Sequence, residues 1–594
     1  MWRKQFFLLV LGIFLSSSLC IAVRTSVTVQ TKVGSIKGYQ ENVYIDGKEK
    51  TISKFLGIPF AESTAGVNRF QKPVPKAKFT NTFDAREVGN TCYQSTPEMA
   101  EVLENTYGLK TGFSDDCLSL NIYVPGDVTT GSPKSVMIWI YGGGFLTGAS
   151  APYEATGLSA FGDVIVVTVN YRLGMFGFLR DSDGHFPGNQ GLWDQQLAIK
   201  WVHDHIESFH GLKTNITIFG QSAGSASVLF QAMYPGNRGL FQRVIAESGT
   251  PFGYWAVVNE SISDQYIADQ GCTSLNSNSC LQSMDSRDLM SNTTYDFAPV
   301  VDHDFLISSP SEIIFGNSSR TSMAREFFAT VDIIVGANSR DAMPYFTYLW
   351  QAELGLKEMN FTVDKVLFKD QIIPSIVNET IDTNDEETKH LLEELLYFTY
   401  TDWSNPNDTD VIRRNAIDIY SEVLFYAGTI RLVEGHVVLS RGRTYMYEFG
   451  FDIENHIDIP PWIKGWTHSD ELAFILGGVL FDNRYMFGKT VNYTIEEKQI
   501  SRTLMTLWTN FAKTGQPNLP TPTSVRWPEF TATSREYLKT SQSATYEIGQ
   551  QFHPHRMWLW NEYIPSILSL SQISRQHVEA KRSTPIPVGE KLVG

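Results

Sequence analysis

The sequence predicts an α/β architecture: a large, mostly parallel central sheet flanked by helices, with helical cap insertions. Three observations carry this reading. Short apolar runs recur at 135–141, 163–171, 215–220, 243–247, 332–335 and 444–449, each of strand length and with little alternation. A run that is apolar on both faces belongs to a sheet covered on both sides. Helical periodicity separates the strands, as at 191–209, where Leu192, Leu197, Trp201 and Ile206 recur near a 3.6-residue period. Finally, no repeat or low-complexity linker divides the chain, so its 594 residues, 42% of them hydrophobic, are read as one large domain rather than several.

Taken in order, Arg3 and Lys4 precede an apolar run from Phe6 to Leu15, and Cys20-Ile21-Ala22 offers a small-residue cleavage site. This is the pattern of a secretory signal peptide over 1–22. The run is too short for a membrane span, which needs ~20 apolar residues. Val27 to Tyr39, with Gly34 between alternating runs, predicts an antiparallel hairpin. The six strands follow, and the helical, acidic stretch 342–440 reads as a cap or flank. The domain is expected over 23–565, with 566–594, rich in charge and Pro, as a mobile tail. The last residues, Lys591 to Gly594, match neither a retrieval tetrapeptide nor a lipid-anchor signal.

Sixty-four acidic against 48 basic residues give a formal charge of −16, which argues against a general nucleic-acid binder. After Cys20, four cysteines remain: Cys92, Cys117, Cys272 and Cys280. An even, sparse set in an oxidising compartment suggests two disulfides; three pairings are open, and short loops favour 92–117 with 272–280. Sequons fall at Asn215, Asn259, Asn292, Asn317, Asn360, Asn378, Asn407 and Asn492. Some are expected to stay unmodified, because Asn215 opens an apolar strand.

The chemistry centres on Gly220-Gln221-Ser222-Ala223-Gly224, which follows the strand NITIFG and opens a helix. A strand turning directly into a helix places the central residue on a sharp, exposed corner, and flanking glycines permit the close approach. Ser222 is thus a candidate nucleophile, and such a hydroxyl needs a base. His468 lies on a loop before an apolar helix, with Ser469 able to cap that helix and acids in its first turn. Asp341 follows the strand at 332–335 and can fix the tautomer of a base, although neighbouring Arg340 could simply pair with it. Ser222, Asp341 and His468 follow the chain order of hydrolases with a nucleophile elbow. Gly142-Gly143-Gly144 follow another strand, where converging backbone N–H groups can receive an oxyanion.

With these pieces in view, the chain resembles the type-B carboxylesterase/cholinesterase family of α/β-hydrolases from about 27 to 565. The resemblance rests on FLGIPFAE, SDDCLSLNIYVP, WIYGGGF, NYRLGMFGFL, GNQGLWDQQLAIKWVHDHI, FGQSAGSASV and ESGTP. It implies an α/β-hydrolase fold and a catalytic set of Ser222 as nucleophile, His468 as base and Asp341 as acid. It further implies oxyanion donors at Gly143, Gly144 and Ala223, structural ion pairs Arg69–Asp115 and Arg172–Asp194, and the links Cys92–Cys117 and Cys272–Cys280. Asp341 departs from the Glu found in many members but keeps a carboxylate.

Two departures bear on substrate. The stretch between Cys92 and Cys117, where the family's choline-binding Trp would lie, contains no Trp, and Gln221 stands where cholinesterases have Glu. A cation thus lacks both its aromatic face and its carboxylate. Gln221, Trp255, Tyr345 and Phe346 are candidate pocket residues, and the stretch 293–297 replaces part of the aromatic acyl-pocket loop. The expected protein is a secreted, extracellular serine hydrolase acting on neutral esters through an acyl-enzyme, with no cofactor and no metal. Its alternatives are a choline-ester hydrolase or a catalytically silent adhesion member of the family. The expected partner is a small-molecule ester, with no nucleic acid and no membrane anchor, and a homodimer is left open.

Overall fold

The computed structural model describes residues 24–94, 112–259, 261–273, 275–290, 295–343, 362–439, 441–453, 462, 464–481, 491–541 and 545–583. Among the described residues one sheet holds 13 strands. Its principal members are β1 (Thr25–Thr31), β2 (Gly34–Ile45), β3 (Lys48–Pro59), β4 (Ser119–Pro125), β5 (Lys134–Ile140), β6 (Ile165–Val169), β7 (Gly211–Gln221), β8 (Arg243–Glu247), β9 (Asp332–Asn338), β10 (Thr444–Phe449), β11 (Glu536–Thr540) and β12 (Tyr546–Gln550). Their order across the sheet is β1-β2-β3-β4-β6-β5-β7-β8-β9-β10-β11-β12. The run from β6 to β11 is parallel, and the strands at both edges are antiparallel.

The six expected strands all form, and those at Arg243–Glu247 and Thr444–Phe449 have the expected limits. Ile138, Val166, Ile218, Ile245, Ile334 and Met446 are fully buried, one from each central strand. Burying a side chain of this size is worth about 1.5–3 kcal/mol. The expected hairpin is β1 paired with β2, and Gly34 opens β2 at φ +125°, where a side chain would be strained.

Helices cover the sheet: α1 (Gln190–His205), α2 (Ala223–Met233), α3 (Thr409–Ser421), α4 (Ala427–Leu439), α5 (Asp470–Ile475), α6 (Ile495–Thr514) and α7 (Ile564–Ser583). Sequence sets their ends. Asp408 caps α3 by accepting from the N–H groups of Asp410 and Val411. Thr494 and Glu497 form a reciprocal box at the start of α6, and Gly515 at φ +72° ends it. Between α3 and α4 the chain keeps coiling through one wide π-turn, Glu422–Tyr426.

The chain is helical through α7, which includes residue 566, the start of the expected tail. Ile567 and Leu568 pack on the core, and Ser571 donates to Asp385 at 3.1 Å. The expected signal peptide lies outside the described residues, as do Asn292, Asn360, Tyr345 and Phe346. Among the described residues no helix is long and apolar enough to cross a membrane.

The disulfides join Cys92 to Cys117 and Cys272 to Cys280. The two expected ion pairs form as well. Arg69 reaches Asp115 at 3.0 Å, and Arg172 grips Asp194 with a two-pronged contact at 2.8 and 2.7 Å. Asn215 is committed to the sheet: its amide donates to Ser135 Oγ at 2.8 Å and to the Lys513 carbonyl at 3.1 Å. Asn259, Asn317, Asn378, Asn407 and Asn492 are exposed.

Candidate active site

Strands β7, β8 and β9 are central and parallel, and their carboxyl ends share one edge, where sites of open α/β sheets lie. At that edge β7 turns straight into α2. Ser222 sits at the corner with φ +59° and ψ −125°, a strained conformation for a residue with a side chain. Its backbone N–H donates to the Glu247 carbonyl at 2.8 Å. The glycines explain how the corner closes. A Cβ on Gly220 would lie 2.5 Å from the Ile140 carbonyl oxygen, and one on Gly224 would lie 2.0 Å from it. Ala223 is the first residue of α2, so its N–H has no acceptor within the helix.

The triple glycine follows β5 and lies against this corner. A Cβ on Gly142 would approach Ser222 Cβ to 2.8 Å and the Gln221 carbonyl oxygen to 2.5 Å. Gly143 and Gly144 take φ +113° and +62°, and a Cβ on Gly143 would collide with the Thr147 carbonyl. Glycine is therefore a steric requirement at Gly142 and Gly143, whereas Gly144 has open space around it and serves the turn through its left-handed backbone.

Asp341 follows β9 and is fully buried. Its Oδ2 accepts the Asn338 N–H at 2.8 Å, and its Oδ1 accepts from His468 Nδ1 at 2.6 Å. An ionised carboxylate only accepts, so Nδ1 carries the ring proton and Nε2 is left with its lone pair. Gln221 reaches the other side of the ring, with its amide nitrogen 3.0 Å from Nε2. Arg340 does not pair with Asp341; its guanidinium turns away to Asp418. Its backbone N–H donates to the Trp466 carbonyl at 2.9 Å, which ties the Asp341 loop to the His468 loop. Asn338 adds a second tie by donating to the Thr467 carbonyl at 2.8 Å.

The expected helix cap differs. Ser469 occupies the position before α5 but takes φ +74° and makes no side-chain cap. The carboxylate of Asp470 accepts the Thr467 N–H at 2.6 Å and the Thr467 hydroxyl at 3.1 Å instead, closing the turn that carries His468. A charged acceptor makes the stronger bond here.

Several neighbours of the site escape sequence reasoning. The Phe425 ring stacks on the His468 imidazole with centroids 4.9 Å apart and planes 23° from parallel. Phe425 lies in the π-turn, and the Leu424 carbonyl there accepts from the Trp255 indole at 3.2 Å. Trp255 is thereby tied to the segment that carries Phe425, and its ring also faces Phe145 at 6.2 Å. From the expected acyl-side stretch, Tyr295 and Phe297 pack on Tyr266 and line a cavity of about 30 Å³ with Leu146 and Phe176. Behind the corner, two carboxyl groups are fully buried. Burial pushes Glu247 up to about 8, against the opposing bond from the Trp508 indole, and pushes Glu471 up as well, reinforced by Glu247 and Asp341. Their proximity joins a strand end to a distant helix, which no local pattern announces.

A serine at a strand–helix corner, on the carboxyl edge of a mainly parallel sheet with a His–Asp pair beside it, defines an α/β-hydrolase. The carboxylesterase family model matches residues 25–560, and the chain belongs to that family. It is 30% identical to the cholinesterase of Mus musculus over 565 residues, which cover 91% of this chain and 88% of that one. It is also 30% identical to the acetylcholinesterase of Bungarus fasciatus over 578 residues, covering 93% and 89%. The chain is a serine carboxylic-ester hydrolase.

Proposed function

We propose that this hydrolase is secreted and cleaves neutral carboxylic esters through an acyl-enzyme on Ser222. His468 takes the Ser222 proton as the hydroxyl attacks the ester carbonyl, and Asp341 holds the ring so that Nε2 faces the reaction. The N–H groups of Gly143, Gly144 and Ala223 receive the oxyanion, each donor being worth about 3 kcal/mol in such chemistry. His468 then protonates the departing alcohol, and water repeats the attack on the acyl group.

The observation that carries the substrate class is Gln221. Its neutral amide lies 3.0 Å from His468 Nε2, at the position where a choline-ester hydrolase is expected to present a carboxylate. With no Trp between Cys92 and Cys117 either, a quaternary ammonium would meet neither charge nor aromatic face here. The two disulfides suit an oxidising, extracellular location.

The test compares acetylthiocholine with its uncharged isostere, 3,3-dimethylbutyl thioacetate. The neutral ester is expected to match or exceed the charged one in kcat/KM. A preference of ten-fold or more for the cation would overturn the proposal.

A further inference from the structure

The imidazole of His468 is held from three sides: Asp341 at Nδ1, the Phe425 ring over its face and the Gln221 amide at Nε2. In the neutral ring Nε2 offers a single lone pair, so the amide nitrogen of Gln221 donates to it. That lone pair is also where the Ser222 proton must go. Two donors, adjacent in sequence, therefore compete for one acceptor. The fold fixes the competition. Gln221 is the last residue of β7, is 3% exposed and sits in register with Glu247 of β8. Its side-chain oxygen lies on the glycine turn, 3.1 Å from where a Cβ on Gly142 would stand.

We infer that Gln221 is a positioning residue for the base, holding His468 Nε2 by donation between turnovers and yielding it to Ser222 when an ester binds. The inference rests on His468 being the base. An amide nitrogen suits this task because it donates to the neutral ring without adding a charge, while the amide oxygen lies on the glycine turn. A carboxylate would only accept, and an aliphatic side chain would do neither.

The titratable and charged groups around the ring come from several elements. Asp341 bonds the ring from the β9 loop, and Asp470 of α5 closes the turn that carries it. Glu471 of α5, Tyr447 of β10 and Tyr426 of the π-turn interact with Asp341, Glu247 of β8 acts on Glu471, and Arg340 turns away to Asp418 of α3. All of them are common to every Gln221 variant, so a difference in pH profile between variants reports the residue at 221.

The experiment measures kcat/KM against pH for a neutral ester with the full chain and its Gln221→Leu, Gln221→Met and Gln221→Glu variants. Ser222→Ala and His468→Ala serve as controls, and thermal unfolding checks each fold. Donation to the lone pair favours the neutral ring, so its loss moves the acid limb of the profile upward. Gln221→Leu and Gln221→Met are expected to raise the limb by about 0.7 pH unit, the equivalent of one ordinary hydrogen bond, and to lower the plateau, since the base is no longer held. Gln221→Glu is expected to raise it by more than about one unit, because a carboxylate beside Nε2 favours the imidazolium. Met keeps the length of Gln, so agreement between Leu and Met excludes a packing effect. An acid limb unmoved in all three variants, beside an inactive His468→Ala, overturns the inference alone. Full turnover by His468→Ala overturns the base assignment and the inference together.

Discussion

Replacing Glu247 by Gln should stabilise the protein, and increasingly so as the pH rises. The Glu247 carboxyl is fully buried; its Oε1 accepts the Trp508 indole N–H at 2.7 Å, and Oε2 has no partner. Burial raises it from 4.5 to about 8. Between those values the unfolded chain has lost this proton while the folded protein keeps it. The folded state then binds more protons, so stability falls by about 1.4 kcal/mol per pH unit across the window. Below 4.5 the contribution is fully present; above 8 the loss is complete. At pH 7 the window has been crossed for 2.5 units, which corresponds to about 3 kcal/mol. Glutamine keeps an acceptor for Trp508 and has no proton to lose. Urea unfolding of both proteins at pH 5, 6, 7 and 8, with disulfides intact, should show a gap of about 1 kcal/mol at pH 5 that widens to several at pH 8. A gap that is constant, or that favours the parent protein more at high pH, would refute a protonated Glu247.

Gly142→Ala should cost at least about a hundred-fold in kcat with the fold retained, since its Cβ would stand 2.8 Å from Ser222 Cβ and 2.5 Å from the Gln221 carbonyl oxygen. Steady-state kinetics beside a circular dichroism spectrum checks this, and a near-normal kcat would show that the turn has room to shift. Arg172→Met should destabilise by about 3–5 kcal/mol in urea unfolding, because it strands the fully buried Asp194 without its cation. The double variant with Asp194→Leu should recover much of that loss.

The parallel core was legible because its strands are buried on both faces and so read as unbroken apolar runs. The half-exposed edge strands were harder. The outer part of β3 is exposed at four successive residues, and β12 carries no fully buried residue, so neither offers the signal that marks β8 or β10. The elbow and the glycine turn were legible because their backbone geometry demands particular residues at fixed spacing. The His468–Asp341 pair could be placed by chain order and resemblance, and the structure brings it within hydrogen-bond distance. Phe425 was hidden because its contact depends on a π-turn whose wide coil no local propensity announces. The Glu247–Glu471 pair was hidden because it exists only once a strand and a far helix have packed. The sequence marks Gln221 as a pocket candidate, and the bond of its amide to His468 Nε2 depends on a loop 247 residues away. The failed Ser469 cap shows the limit of a cap rule where an adjacent carboxylate can reach the same turn.

The central claim is that Ser222, activated by His468 and Asp341, is the nucleophile. Its most direct test is labelling of the folded protein with a neutral organophosphonate, followed by peptide mass mapping. One stoichiometric adduct on Ser222 is expected, formed far more slowly in His468→Ala and absent from Ser222→Ala. An adduct on another residue, or labelling of Ser222 at an undiminished rate in His468→Ala, would contradict it.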